Sequence, residues 1–468
     1  MSKKEGAVAT ERGSLGSRLG FILISAGCAI GIGNVWKFPW MVGQYGGGIF
    51  VLIYLCFLAF FGVPILTMEF SLGRAAQKSP ALLYQQLEKP KQKWHLHGFA
   101  SIGANYVLMM FYTVVAGWML YYFKSMAFGD LSGLNAAGAG EYFNTQLLGD
   151  PIPMLLCTGI IIIAGFLVCG LGVKNGLERV TKFMMLALLV LLVAIAIYCC
   201  CMDGAVEGLK FYLIPDFGKM KEVGVVNVIV AAMNQAFFTL SLGIGSMAIF
   251  GSYIGKERSL LGESLNVAIL DTFVAFTSGL IIFPACFAFN GGQTDAGPSL
   301  IFVTLPSVFN NMPLGRLWGS LFFVFMLFAA FSTVIGVFEV IIASTSELFG
   351  WSRKKACLIN GGLMLVLCLP CIFGFNLLSG FAPLGKNIMD WEDFFVSNLC
   401  LPLGALTFTL FCILKPGIGW GWDNFVNEAN AGKGMKVKKW MRPYMTYVLP
   451  VLIVVLFIVG LLQTFGII

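Results

Sequence analysis

The stretch Gly27–Pro39, "GCAIGIGNVWKFP", lies inside the first long apolar run of the chain. Four of its first seven positions are Gly or Ala, and it then carries Asn34 and Lys37 where a membrane helix ordinarily carries Leu. Gly weakens a helix by roughly 1 kcal/mol relative to Ala, and polar side chains inside a membrane are expensive and tied to function. The stretch reads as an interruption of a membrane helix.

The rest of the chain supplies the membrane. It is 58% hydrophobic and 11% charged, whereas soluble domains carry roughly 25% charged residues. Eleven runs are long enough to span: 17–41, 46–70, 98–124, 153–171, 180–202, 226–254, 260–289, 316–347, 355–375, 394–414 and 444–466. Lys and Arg crowd the N-terminal tail and the 2–3, 4–5, 6–7, 8–9 and 10–11 connections. The opposite side has Lys210, Lys219, Lys221, Arg316 and Lys386. By the positive-inside rule the N-terminus is cytoplasmic and, after eleven spans, the C-terminus is outside. The net charge of +7 reflects this asymmetry, so a nucleic-acid partner is not expected. The polar, charged first 18 residues, with no small-residue cleavage site after the first apolar run, predict no cleavable signal peptide.

Three smaller features read blandly. The 13 cysteines, including Cys199–Cys201 and the Cys368-Leu-Pro-Cys371 spacing inside span 9, are expected to act as small apolar residues. His95 and His97, the only histidines, are expected as surface polarity in the 2–3 loop, a poor metal site. Gly170–Gly176 is glycine-rich, but its spacing is wrong for a phosphate loop and no strand precedes it.

Span 6 echoes the opening stretch with "NQAFFTLSLGIGSM", Asn234–Met247. Both carry Gly-Ile-Gly, at Gly31–Gly33 and Gly243–Gly245, and the two spans run in opposite directions. Paired, interrupted apolar segments in corresponding positions mark the binding site of an inverted-repeat transporter. Glycines also serve close helix packing; a cluster of Gly, Ser, Thr, Asn and Gln at mid-depth in both helices favours a break. Unwinding frees N–H and C=O groups, which is tolerable in a membrane where they line a site. Freed N–H groups at half-helix ends attract anions, and freed carbonyls can ligate a hard cation. The pattern suits a small zwitterion carried with Na⁺.

At this point the residues match a known family. Ser17–Pro39 followed by "YGGGIF" (Tyr45–Phe50) resembles the first helix of the neurotransmitter:sodium symporters, and Asn234–Ser246 resembles their sixth. The likeness runs through nearly the whole chain in helix order and spacing. It implies an all-α, LeuT-type fold: a five-plus-five inverted repeat with helices 1 and 6 unwound at mid-membrane, plus an eleventh helix, as in a bacterial amino-acid transporter subgroup. The expected layout is 1–16 as tail, 17–202 as first repeat, 203–414 as second repeat, 415–443 as cytoplasmic loop and 444–468 as helix 11.

The resemblance further implies two Na⁺ sites. One would use Ala29, Asn34, Thr239 and Asp271 with the substrate carboxylate. The other would use Gly27, Ile30, Ala329, Ser332 and Thr333. Oxygen-only ligation is what a hard cation prefers. The substrate carboxylate would meet the Ile32 and Gly33 amides and Tyr112, and its amino group Ala29, Phe238 and Thr239 near Ser241. Leu108, Phe238, Ile244 and Val337 would line the side-chain pocket, with Cys28 and Thr333 nearby. That lining suits a neutral hydrophobic or aromatic amino acid.

Asp271 stands where chloride-dependent relatives have Asn. Beside Tyr54 and Gln235, its carboxylate would replace chloride and could exchange a proton as Na⁺ leaves. Lys37 and Asp393 would form the outer gate with Phe238 as lid; Arg12 and Glu347, near Tyr253, the inner one. Three positions depart from the family's habit. Cys28 replaces a polar or acidic residue, Leu15 an aromatic one, and Lys37 the usual Arg, which alone makes a planar fork with carboxylate.

The reading is therefore Na⁺-coupled import of a neutral amino acid across the cell's plasma (inner) membrane, independent of chloride. No organic cofactor and no obligatory protein partner are implied. An enzyme is disfavoured because the expected spans hold no His and their acids Glu69, Asp271 and Glu339 lie far apart. A sodium-independent exchanger on the same fold, or a transporter-like substrate sensor, is the alternative. The paired Na⁺ ligand set separates the first of these from a symporter, and a sensor usually adds a soluble domain.

Overall fold

The computed structural model describes residues 15–290 and 298–464. Among the described residues nine helices are long and apolar enough to cross a membrane, or up to eleven when two bent pairs each count as one span. Span 1 is one of these pairs, Arg18–Ala29 and Gly33–Gln44, bent by 56°. Spans 2 to 5 are Gly48–Ala76, His95–Phe128, Pro151–Gly170 and Val173–Cys200. Span 6 begins after the short helix Phe217–Val223, which meets Val225–Thr239 at 95°. It stops at Thr239 and resumes as Ser246–Gly251. Spans 7 to 11 are Leu260–Phe289, Gly315–Phe349, Arg353–Phe373, Ile388–Ile413 and Met441–Thr464.

The sequence explains why the breaks fall in spans 1 and 6. In span 1 the helix ends at Ala29, and Ile30 leaves helical geometry at φ −69°, ψ 104°. The chain re-enters as a π-helical turn at Gly33–Lys37 before continuing to Gln44. In span 6 the helix ends at Thr239, and Ser241, Gly243 and Gly245 take positive φ of 50°, 92° and 77°. Gly243 is required twice over: its φ favours glycine, and a methyl group there would lie 2.2 Å from the Leu401 carbonyl oxygen of span 10.

Packing places both breaks at the centre. The first half of span 1 packs against spans 5, 7 and 8, and span 8 packs along span 3. Among the nine spans that are not bent pairs, span 8 is the most buried and span 11 the least. Span 7 also contacts span 2 and the π-turn of span 1, which brings Asp271 beside Asn34.

One expectation shifts. Span 3 begins at His95, so the histidines belong to its first turn. His97 is half-buried, its Nδ1 2.8 Å from the Tyr84 hydroxyl and its ring edge-on to Tyr84 and Phe408. Span 9 is interrupted at Cys368, before Pro370, and both Cys368 and Cys371 are buried.

Candidate functional site

The breaks in spans 1 and 6 create two clusters of oxygen. In the first, Asn34, Thr239 and Asp271 are fully buried. Asn34 Nδ2 lies 2.8 Å from Asp271 Oδ1, 2.9 Å from Thr239 Oγ1 and 3.2 Å from the Asp271 carbonyl oxygen. Thr239 Oγ1 donates to Asp271 Oδ2 at 3.0 Å, and Asn34 Oδ1 accepts from the Gly31 amide at 3.0 Å. Three acceptors thus converge on an amide nitrogen that has two hydrogens. Each side-chain oxygen of the cluster has one donor, and the carboxylate and hydroxyl oxygens keep further lone pairs that a hard cation could use.

The second cluster joins the end of span 1's first half to span 8. Thr333 Oγ1 lies 3.2 Å from the Ile30 carbonyl and 3.5 Å from those of Gly27 and Ala329. Ser332 Oγ lies 2.9 Å from the Ala329 carbonyl and 3.4 Å from that of Ile30. Most of these contacts are long for hydroxyl hydrogen bonds. Two hydroxyl protons cannot serve three carbonyls at several contacts each. A hard cation, which takes many oxygens at once, fits the set. The helix ending at Ala29 supplies its free carbonyls by geometry, because terminal C=O groups lack helical partners.

Between the clusters, the Ile32 amide donates to Tyr112 Oη at 2.9 Å. Gly31 permits this approach: a methyl group there would lie 2.0 Å from Tyr112 Oη and 2.5 Å from Thr333 Oγ1. A small cavity of about 20 Å³ is lined by Ala29, Gly33, Leu108, Tyr112, Phe238, Ser241, Ile244, Thr333, Val396 and Leu401. A larger one of about 170 Å³ shares Tyr112 and Phe238 with it and is lined by Ile32, Trp36, Lys37, Trp40 and Asp393 among others. Phe238 and Tyr112 therefore line both cavities.

Charged contacts lie on both sides of this centre. On one side Lys37 Nζ lies 3.2 Å from both oxygens of Asp393, 3.2 Å from Ser397 Oγ and 4.1 Å from the centre of the Phe238 ring. On the other, Tyr253 donates to Glu339 Oε1 at 2.7 Å, and Arg353 pairs with the same carboxylate. Glu347 accepts from the amide and hydroxyl of Ser79 at 2.9 and 2.7 Å. Arg12 lies outside the described residues. Arg18, near it in sequence, pairs with Glu263 at 2.9 Å.

The structure gathers most of the expected residues at the two breaks. Cys28 and Val337 are buried but do not line the small cavity; Cys28 packs against Gly336. Gln235 donates to the Gly33 carbonyl at 2.8 Å, and its Oε1 is buried without a hydrogen-bond partner among the described residues.

Several residues were missed from sequence. Val396 and Leu401 line the cavity from span 10, which offers no polar signal at those positions. Glu69 was noted only as an acid inside the membrane. Its Oε1 accepts from the Gly243 amide at 2.5 Å, so it holds the broken segment of span 6. Glu339 and Arg353 were likewise visible as charges but not as partners, since only the fold brings their helices together.

Comparison with known proteins agrees with this geometry. The model of the sodium:neurotransmitter symporter family matches residues 12–136 and 149–466. The uncharacterised sodium-dependent transporter YhdH of Bacillus subtilis is 35% identical over 96% of this chain and 98% of its own. An uncharacterised sodium-dependent transporter of Haemophilus influenzae is 30% identical over 96% of this chain and 98% of its own. Among solved structures, that of MhsT in complex with L-phenylalanine superposes with a TM-score of 0.85 at 36% identity, covering 96% of this chain and 99% of that one. The LeuT-type architecture implied by the family resemblance is the one observed. The chain is a multi-pass membrane transporter and belongs to the sodium:neurotransmitter symporter family.

Proposed function

We propose that this transporter imports a neutral hydrophobic or aromatic amino acid with two Na⁺ ions by alternating access, without chloride. The observation that carries the reading is the pair of oxygen clusters beside one largely apolar cavity, the first built around the side chains of Asn34, Thr239 and Asp271 and the second from Ser332 and Thr333 against carbonyls freed at the break in span 1. Asn34, Thr239, Asp271 and the Ala29 carbonyl would hold one ion together with the substrate carboxylate. Gly27, Ile30, Ala329, Ser332 and Thr333 would hold the other. Tyr112 and the freed amides of span 1 would orient the carboxylate. Leu108, Ile244, Val396 and Leu401 would take the side chain. The phenylalanine bound in the MhsT structure supports a hydrophobic substrate here.

Asp271 would supply the negative charge at the ion cluster that chloride would otherwise provide beside Tyr54 and Gln235, and could exchange a proton as Na⁺ leaves. Lys37, Asp393 and Phe238 would gate the outer side, and Arg12, Glu347 and Tyr253 the inner. The charge asymmetry of the connections supports a plasma-membrane orientation with the N-terminus cytoplasmic and the C-terminus outside.

The driving force suffices. One charge moved through 100 mV is worth about 2.3 kcal/mol, so two Na⁺ supply about 4.6 kcal/mol. At about 1.4 kcal/mol per tenfold, that sustains roughly thousandfold accumulation, against about fortyfold for one ion. The test is equilibrium binding of labelled neutral amino acids to the purified protein in Na⁺ and in K⁺. Saturable binding of Phe, Trp, Leu or Ile in Na⁺ alone is expected. Equal binding in both salts would favour a sodium-independent exchanger.

A further inference from the structure

The cytoplasmic end of span 2 holds an arginine, Arg74, that is 1% exposed and that the transport cycle above does not use. All three of its guanidinium nitrogens are bonded. Nε donates to Glu428 Oε1 at 2.6 Å, and Nη2 donates to the Glu428 carbonyl. Nη1 donates to the carbonyls of Arg258 and Gly255 at 2.8 and 3.2 Å. Glu428 belongs to the helix Trp422–Ala429 in the connection between spans 10 and 11. Gly255 and Arg258 lie in the connection between spans 6 and 7. One side chain of span 2 therefore binds two separate connections.

The two connections are fastened to each other as well. Lys433 donates its amide to Glu257 at 2.9 Å, Ser259 donates its amide to Lys433 at 3.0 Å, and Ser259 Oγ donates to Met435 at 2.6 Å. Lys256 Nζ lies 3.1 Å from Glu428 Oε2. Next to Arg74, Gly73 touches the resumed half of span 6 directly: a methyl group there would lie 1.9 Å from the Ala248 carbonyl oxygen. A displacement of Ser246–Gly251 must therefore reach span 2 at the residue before the clamp.

We propose that Arg74 is a positioning residue of alternating access: through Glu428 it makes the 10–11 connection move as one body with span 2 and the inner half of span 6. This rests on the alternating-access reading above. A buried charge that loses its partner is strongly destabilising, so the clamp stays intact while the body moves. The connection then reinforces cytoplasmic closure, because the inner half of span 6 cannot shift without carrying it.

Hydrogen–deuterium exchange on the full chain in lipid nanodiscs tests this, in Na⁺ and with choline replacing Na⁺. In the wild type, segments 252–259 and 418–437 are expected to change protection together on Na⁺ removal. In Glu428→Gln, exchange of 418–437 in Na⁺ is expected to rise about tenfold or more, the change for one lost charge-assisted hydrogen bond, and to stop following 252–259. Span 3 should keep wild-type protection. Arg74→Lys, which retains the charge but not the planar fork, is expected to uncouple the same segments and serves if the first variant folds poorly.

Continued joint movement of both segments in both variants would overturn the clamp. Loss of protection throughout span 3 would mean a purely structural role and would also overturn it. Wild-type segments that ignore Na⁺ would instead overturn the alternating-access reading on which the proposal rests.

Discussion

Lys37 and Asp393 meet across spans 1 and 10, with the ammonium 3.2 Å from both carboxylate oxygens and over the face of the Phe238 ring. The lysine thus joins a charge contact to an aromatic side chain that lines both cavities. Its side chain is 19% exposed and that of Asp393 39%. Pairs this wet are worth about 0.2–1 kcal/mol, so the contact can form and break within a transport cycle.

Lys37→Gln is expected to raise the substrate KM by roughly two- to fivefold, the equilibrium shift that such a pair can supply, with transport retained. Lys37→Arg, able to fork onto Asp393, should lower the maximal uptake rate by slowing outward opening. Uptake kinetics in proteoliposomes distinguish the two. Complete loss of transport in Lys37→Gln would show that the lysine does more than close the outer side.

Thr333→Ala removes a hydroxyl that lies within 3.5 Å of three carbonyls. The Na⁺ concentration for half-maximal uptake is expected to rise roughly tenfold, the scale of a lost contact to a charged group. Thr333→Ser keeps the oxygen and should stay near wild type. Unchanged Na⁺ dependence in Thr333→Ala would remove this cluster from the ion sites.

On the proposed reading, Asp271 takes the place of chloride. Wild-type uptake is expected to be unaffected when gluconate replaces chloride. Asp271→Asn removes the carboxylate while keeping an oxygen, and its residual uptake should become chloride-dependent. A wild type that falls to background in gluconate would contradict the assignment.

Gly31→Ala puts a methyl group into the Tyr112 and Thr333 oxygens. Substrate binding is expected to be lost, while the variant still purifies as a folded helical protein by circular dichroism. Wild-type affinity in this variant would show that Tyr112 can withdraw from span 1 without consequence.

The breaks were legible in the sequence because glycine and polar residues at membrane depth have few other uses. Asn34 and Asp271, 237 residues apart, could be joined only through family resemblance, since no local pattern pairs them. Val396 and Leu401 look like ordinary lipid-facing residues until Gly243 is seen against the Leu401 backbone. His97 read as surface polarity because its partners, Tyr84 and Phe408, come from other helices. Arg74 looked like one more positive-inside residue, and its partners lie 181 to 354 positions away. Spacing identifies a helix that must break; which distant side chain fills the break is a property of packing.

The most direct test of the central claim is uptake of a labelled neutral amino-acid pool into proteoliposomes with an inward gradient of Na⁺ or of choline. Concentrative uptake of a hydrophobic or aromatic amino acid with Na⁺, and none with choline, is the predicted result. Equal uptake under both gradients would contradict the assignment of the two oxygen clusters to Na⁺.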